Sequence, residues 1–263
     1  MKYLFVLAAY KDHKQQIFDE IISPRNRKYC EGHGFKYVEI RKENNIVPFR
    51  GNLTWNKWSI IKDLIDTGKL KDGDIIIQQD ADVAIVNDAV TYEPIEGKSI
   101  SICVDSGNTY CNGIFGLRIN DWTRQLVDNI LDEDRFQRMS REYTVHEGIP
   151  NRYPTTFISE FREQAVFYDL FGIKRHSWIP FTKLPNNGVH SDKKPTTFYS
   201  IEDFNSNVQV LPVEYNLTIW PGESDTSFYI NKFDNQYGVY FRHFTGSDWQ
   251  VASKWVTLVS NEL

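Results

Sequence analysis

The feature that most constrains the fold is an alternation of strand-like and helix-like segments in the first half of the chain. The segment KYLFVLAA at 2–9 has the pattern of a strand, 14–34 that of a helix closing on glycines, and FKYVEIR at 35–41 that of a second strand. A helical pattern at 54–68 precedes DGDIIIQQD at 72–80, a short strand with an apolar centre. Such alternation is typical of a mainly parallel sheet covered on both faces. The sequence therefore predicts an α/β fold with a central, mainly parallel sheet flanked by helices.

The second half is less regular. Strands are predicted at 98–105 and 112–118 and a helix at 121–136, whereas 136–160 is polar and shows no period. A further helix is predicted at 160–172, followed by short strand-like pieces and proline-rich turns. Because no repeat or linker interrupts the chain, we expect one domain over residues 1–263.

Composition and charge limit the functional classes. The chain has 263 residues, of which 41% are hydrophobic and 14% aromatic, which suits a globular protein with a large core. Its formal charge of −5 and the absence of a basic block do not indicate a dedicated nucleic-acid binder. Three cysteines without a C-x-x-C motif point to a reducing compartment. The apolar segment 3–9 is too short for a signal peptide and no longer one suits a membrane helix, so we expect a cytoplasmic protein.

Two acids, Asp80 and Asp82, end the apolar strand in QQDADVAIVND at 78–88. In an extended segment both side chains point to the same side, while Ala81 points away. The carboxyl ends of strands in open α/β sheets form the ligand crevice, where two carboxylates suit Mg²⁺ or Mn²⁺. The alternative is that the D-x-D sequence caps a turn after the strand.

Several short motifs, in this order along the chain, resemble metal-dependent nucleotide-sugar glycosyltransferases with the GT-A fold. They are TWNKWSIIKDLI at 54–65, the D-x-D segment, YCNGIFGLRIND at 110–121, LPVEYN at 211–216 and the His-Phe-x-Gly segment RHFTGSDWQVASKW at 242–255. The resemblance is to galactosyl- and mannosyltransferase-type families of retaining enzymes. It implies a nucleotide-sugar-binding half at about 1–120 and an acceptor-binding half at about 121–263.

The resemblance implies a donor site with a metal ion. Asp80, Asp82 and His243 would bind Mn²⁺ or Mg²⁺, and Gly246 and Lys254 would contact the diphosphate. The remaining donor-binding candidates are Ala8, Ala9 and Tyr10 as a ledge for the base, Arg50 and Lys57 from the segment before the D-x-D, Ala81 within it, and Asn112 and Gly113 for the sugar. Without the motif, His243 would be an ordinary histidine at a strand end and Lys254 a solvated surface lysine. Trp55 and Trp58 are expected to pack the helix on the sheet.

The catalytic candidates are Glu163 and Gln164 in SEFREQAVFYDL at 159–170. Related retaining enzymes often carry an acid after such a glutamine, but this chain has Ala165 there. We hypothesise a retaining transfer with Glu163 or Gln164 near the sugar. An inverting transfer would need a general base, and Asp248 or Glu163 could serve.

The expected reaction is the transfer of a hexose or pentose from a UDP-sugar to a hydroxyl acceptor, by default a glycan. A hydroxymethylated base in DNA is also open, and would need a basic surface built from Arg138, Arg141, Arg152, Lys193 and Lys194. Two alternatives remain. A sugar-binding protein without catalysis would use Trp220, Trp249 and Trp255, whereas a sugar-nucleotide nucleotidyltransferase would need a glycine-rich basic loop, which LAAYKDHKQQ at 7–16 lacks. No G-x-G-x-x-G after the first strand, Walker A motif or G-x-S-x-G elbow is present.

Overall fold

The computed structural model describes residues 1–8, 15, 18–41, 47–51, 53–85, 89–104, 110–139, 142–144, 156–158, 162–171, 199–212, 215, 217–218 and 241–243. The strands are β1 (Lys2–Ala8), β2 (Lys36–Arg41), β3 (Ile75–Asp80), β4 (Val83–Ile85), β5 (Ile100–Val104), β6 (Tyr110–Arg118), β7 (Glu142–Thr144), β8 (Thr156–Ile158), β9 (Val208–Leu211), β10 (Leu217–Thr218) and β11 (Phe241–His243). The helices are α1 (Ser23–His33), α2 (Asn56–Asp66), α3 (Asp121–Ile130), α4 (Glu133–Met139), α5 (Arg162–Phe171) and α6 (Ile201–Asn207). A π-turn, Phe18–Ile22, leads into α1, and a 3₁₀ turn, Leu53–Trp55, leads into α2.

The central sheet has six strands in the order β2-β1-β3-β6-β5-β9. Strands β2, β1 and β3 are parallel to one another, and β5 is parallel to β9. Strand β6 runs antiparallel to both of its neighbours, β3 and β5. The prediction of an α/β fold with a mainly parallel sheet is therefore confirmed, with β6 as the reversed strand.

Both faces of the sheet are covered, as the apolar centre of β3 predicted. On one face Trp55 at the end of the 3₁₀ turn and Trp58 of α2 are fully buried, in one cluster with Phe115 of β6, α3 and α5. The rings of Trp58 and Phe115 stack with centroids 4.5 Å apart. On the other face α1 packs against Leu4 and Val6 of β1, together with β4. The expected packing role of the two tryptophans is confirmed.

Helix ends follow local chemistry. Helix α1 ends where Gly34 adopts a left-handed conformation with φ of 70°, which a glycine adopts without steric cost. The single helix predicted at 121–136 is instead two helices, α3 and α4. The carboxylate of Asp132 accepts a hydrogen bond from the backbone N–H of Arg135, and this cap starts a new helix.

A second sheet extends the end of β3. Strand β4 follows Asp82 directly and pairs antiparallel with β11, which pairs with β10. The sequence did not predict β4, because three buried residues are too few to show a period. This sheet brings the segment 241–243 next to the D-x-D turn, although the two lie about 160 residues apart in the sequence.

Within the part of the chain that the structure describes, no helix is long and apolar enough to cross a membrane.

Gly116 in β6 is required by close packing. A Cβ atom at this position would overlap the carbonyl oxygen of Tyr92 and the hydroxyl oxygen of Ser101. We expect Gly116→Ala to lower the free energy of unfolding by about 1–3 kcal/mol, because the overlap forces the backbone of the sheet to move. Chemical denaturation measures this. Gly32→Ala in α1 is the control, since its Cβ would meet nothing within 4 Å, and it should leave stability unchanged or slightly raised.

Candidate functional site

A polar cleft of about 230 Å³ lies at the carboxyl ends of β1 and β3. Four of its lining residues are charged, and the others are three apolar residues and a threonine: Lys57, Asp80, Asp82 and Glu163, then Leu7, Leu53, Ala81 and Thr54. Parallel strands β1 and β3 end at the same edge, so the strand ends place Leu7 beside Asp80. This is the edge at which the sequence predicted a ligand crevice.

The two aspartates reach the cleft from different backbone conformations. Asp80 is the last residue of β3, whereas Ala81 and Asp82 form a turn between β3 and β4. The strand alternation that we used to place both side chains on one side therefore stops at Asp80. Both acids nevertheless line the same cleft, so the turn and the shared site are both present.

Lys57 is the centre of the site. Its ammonium lies 3.0 and 3.1 Å from the two carboxylate oxygens of Asp80, 3.0 Å from the carbonyl oxygen of Asn112 and 3.2 Å from Glu163 Oε1. An ammonium has three N–H donors, and here three different residues accept from it. Only 4% of the Lys57 side chain is exposed, compared with 31% for Asp80 and 8% for Glu163.

The charge of Lys57 is fixed by its partners. Burial alone lowers the pKa of a lysine, but the carboxylates of Asp80 and Glu163 more than offset this and hold the pKa of Lys57 above its ordinary value. Lys57 is therefore a permanent cation at neutral pH. Among the described residues that line the cleft, three are carboxylates and Lys57 is the one ammonium.

Helix α5 supplies both catalytic candidates. Glu163 is buried and turned to the cleft, where it pairs with Lys57. Gln164 donates a hydrogen bond from Nε2 to the carbonyl oxygen of Tyr110, at the start of β6. Gln164 thus holds α5 against β6, while Glu163 faces the acids.

Asn112 lies beside the cleft on β6. It is 3% exposed, and its carbonyl oxygen accepts from Lys57. Within the part of the chain that the structure describes, its side-chain nitrogen has no hydrogen-bond partner, which is unusual for a buried amide. The adjacent Gly113 donates its backbone N–H to Cys111 Sγ at 3.4 Å. Asn112 and Gly113 were predicted to contact the donor sugar, and this stays a prediction.

The backbone of His243 is placed next to the D-x-D turn. In the β11–β4 pair His243 is opposite Val83, the residue that follows Asp82. This register agrees with a shared site for His243 and Asp82. Among the side chains that the structure describes, no group of three or more His, Cys, Asp or Glu residues forms a metal cluster. His243 as a metal ligand therefore stays a prediction.

Of the other predicted site residues, the structure describes Ala8 and Arg50. Ala8 is half-buried at the end of β1, next to Leu7, which lines the cleft. Arg50 is not among the residues that line the cleft. Arg50 pairs with Glu133 at 2.7 Å and lies over the rings of Phe49 and Phe136. Most of the remaining predicted residues lie outside the described part of the chain: Ala9, Tyr10, Arg141, Arg152, Lys193, Lys194, Trp220, Gly246, Asp248, Trp249, Lys254 and Trp255. Arg138 lies in α4, of which the structure describes the backbone at this position.

Lys57 and Glu163 were both predicted as site residues, but their ion pair was not predicted. The position of each charge within its own helix contains a signal for such a pair. Lys57 shares its helix face with Ile61 and Ile65 at intervals of four residues, and Glu163 shares its face with Val166 and Leu170. A single charge within an otherwise apolar stripe must find a partner on folding, and these are two such charges of opposite sign.

No protein-family model matches the sequence, and no curated protein matches it. The fold does match solved structures of glycosyltransferases. One is a glycosyltransferase involved in the glycosylation of the major capsid of PBCV-1, with a TM-score of 0.53 and 10% identity over 97% of this chain and 99% of that one. The chain therefore has the fold of a glycosyltransferase, and the expected GT-A fold class is confirmed.

Two structures of Drosophila β-1,4-galactosyltransferase 7 match more distantly. A mutant in complex with manganese, UDP-Gal and xylobiose has a TM-score of 0.31 and 16% identity, and the catalytic domain with xylobiose has 0.30 and 17%. Each match covers 57% of this chain and 57% of the other.

Asp80→Asn tests the energetics of the buried ion pair. We expect the variant to lose about 1–3 kcal/mol of unfolding free energy, because a buried ammonium loses one of its two charged acceptors. Asp66→Asn is the matched control on the same helix as Lys57. The pair of Asp66 with Lys62 is exposed, so its loss should change stability by less than about 0.5 kcal/mol. Equal effects in urea denaturation would contradict the central role of Asp80.

Proposed function

We propose that this protein is a glycosyltransferase that moves a sugar from a UDP-sugar to a hydroxyl acceptor with the help of a divalent metal ion. The observation that carries the proposal is the cleft at the ends of β1 and β3, which is lined by three carboxylates, two of them paired with Lys57. This cleft lies on a fold shared, over 97% of the chain, with a glycosyltransferase. The position agrees with the ligand crevice of open α/β sheets.

The donor set suits Mn²⁺ or Mg²⁺. Three of the described residues that line the cleft are carboxylates, and carboxylate oxygens are donors that hard cations prefer. Asp82 and the exposed part of Asp80 would hold the ion, with His243 approaching through the β11–β4 register. When bound, the ion would neutralise negative charge on the diphosphate leaving group.

The chain's own residues prepare the donor end of the site. Asp80 is kept in place by both of its oxygens accepting from Lys57, so its orientation is set before any ligand arrives. The apolar wall formed by Leu7, Leu53 and Ala81 displaces water from the opposite side. Gly246 and Lys254 are proposed to approach the diphosphate.

The sugar end is assigned to β6 and α5. The free amide N–H₂ of Asn112 is a donor suited to sugar hydroxyls, and Gly113 beside it leaves space. We place the reacting face of the sugar against α5, near Glu163, and propose that the transfer retains the anomeric configuration. The carboxyl group of Glu163 pairs with Lys57, and we propose that it stabilises positive charge that develops on the sugar ring. Gln164 positions α5 through Tyr110.

The acceptor is a glycan or another hydroxyl compound. We propose that the acceptor-binding half, about 121–263, supplies its contacts, since loops on a rigid scaffold carry specificity. A reducing, cytoplasmic location agrees with three buried cysteines, Cys30, Cys103 and Cys111.

Nucleotide release tests the reaction. The purified protein is incubated with a panel of UDP- and GDP-sugars, with and without Mn²⁺, and free UDP or GDP is measured. We expect metal-dependent release from one UDP-sugar and a loss of at least about a hundredfold in Asp82→Asn, because the metal loses a carboxylate. Asp66→Asn, on the exposed face of α2, should keep wild-type release.

No release and no binding with any donor, from a folded preparation, would leave the two alternatives. Binding of free sugars without a nucleotide would then favour a sugar-binding protein. Formation of a sugar nucleotide from a sugar phosphate and a nucleoside triphosphate would favour the nucleotidyltransferase.

The stereochemical outcome is a separate prediction. We expect the product to keep the anomeric configuration of the donor, and proton NMR of the anomeric hydrogen reads this directly. An inverted product would contradict retention and would require a general base, for which Asp248 and Glu163 are the candidates.

A further inference from the structure

We propose that Lys57 is a positioning residue that acts as the built-in counter-cation of the acid cluster, so that it sets how strongly the cleft binds a divalent ion. This assigns Lys57 a role different from the direct donor contact expected from the sequence. The inference rests on the proposed function, since it concerns the metal of that same site.

All three N–H donors of the Lys57 ammonium have acceptors within the protein. Asp80, Asn112 and Glu163 accept from Lys57 at 3.0 to 3.2 Å, which accounts for its three N–H donors. The side chain is only 4% exposed. A donor substrate could gain a hydrogen bond from Lys57 only by displacing one of these partners.

The three residues that accept from Lys57 come from three different elements of the fold. Lys57 is on α2, Asp80 ends β3, Asn112 is on β6 and Glu163 is on α5. The ammonium therefore joins four elements at the point where the cleft begins. Without it, Asp80 and Glu163 would lose the cation that they share, although Glu163 is only 8% exposed.

The charge of Lys57 is opposite to that of the acids around it. Among the described residues that line the cleft, three carboxylates accompany this one ammonium. Removing the lysine makes the net charge of the cleft one unit more negative, and removing Glu163 makes it one unit less negative. If Lys57 acts through its charge, metal affinity must follow this net charge. If Lys57 acts only by filling space, affinity need not follow it.

A charge series tests the inference in the absence of any substrate. The proteins are the wild type, Lys57→Met, Glu163→Gln and the double variant Lys57→Met/Glu163→Gln, which has the same net charge as the wild type. The dissociation constant of Mn²⁺ is measured by titration calorimetry, and thermal unfolding is followed with and without Mn²⁺.

We expect Lys57→Met to bind Mn²⁺ about tenfold more tightly than the wild type, and Glu163→Gln about tenfold more weakly, for charges screened by an open, water-filled cleft. The double variant should lie within about threefold of the wild type. Metal-free Lys57→Met should unfold at a lower temperature, and Mn²⁺ should raise its Tm by more than it raises the wild-type Tm.

A metal affinity that is unchanged or weaker in Lys57→Met would overturn the inference. If that variant does not fold without metal, the comparison moves to the double variant and Glu163→Gln. A double variant at wild-type affinity beside a weakened Glu163→Gln supports the counter-cation role, and any other order contradicts it.

The inference and the proposed function fail in different ways. A wild type that binds neither Mn²⁺ nor Mg²⁺ would overturn the metal part of the proposed function and this inference with it. A wild type that binds Mn²⁺ and releases UDP, but shows no dependence on net charge across the series, would overturn the inference alone.

Discussion

The structure around the cleft depends on one buried ammonium. Lys57 connects four elements. It belongs to α2, and its three N–H groups donate to residues of β3, β6 and α5. Burying a charge is unfavourable unless it is paired and hydrogen-bonded, and Lys57 satisfies both conditions. Its position in turn fixes the carboxylates of Asp80 and Glu163. A site for chemistry is thus formed by the same contacts that stabilise the packing of the two helices on the sheet.

The reversed strand β6 gives the sheet its functional asymmetry. Because β6 runs antiparallel to β3, its first residues lie at the same edge as the carboxyl end of β3. Asn112 and Gly113 therefore face the acids across one edge, although they begin a strand rather than end one. Gln164 ties α5 to Tyr110 at that edge, which brings Glu163 to the cleft. The second sheet adds the backbone of His243 from the far end of the chain.

Much of the fold could be predicted from the spacing of apolar residues and from the glycines that end helices. The helix ending at Gly34 and the buried strand before Asp80 are local features, and both are confirmed. The prediction failed where the signal was short or where a side chain competed with the helix. Strand β4 has only three residues, and Asp132 divides a segment whose apolar period is continuous. The extended path assumed through Asp82 was also wrong, since the backbone turns after Asp80.

The sequence by itself determined the class of sheet, the burial of Trp55 and Trp58 and the presence of acids at the end of β3, because each depends on residues that are neighbours along the chain. Only the tertiary structure decided which charges meet. Lys57 and Glu163 are separated by more than a hundred residues, and their contact requires both helices to pack on the same face of the sheet. The burial of apolar side chains places both helices on that face, whether or not their charged residues are paired. The ion pair then forms because the two charges are buried next to each other.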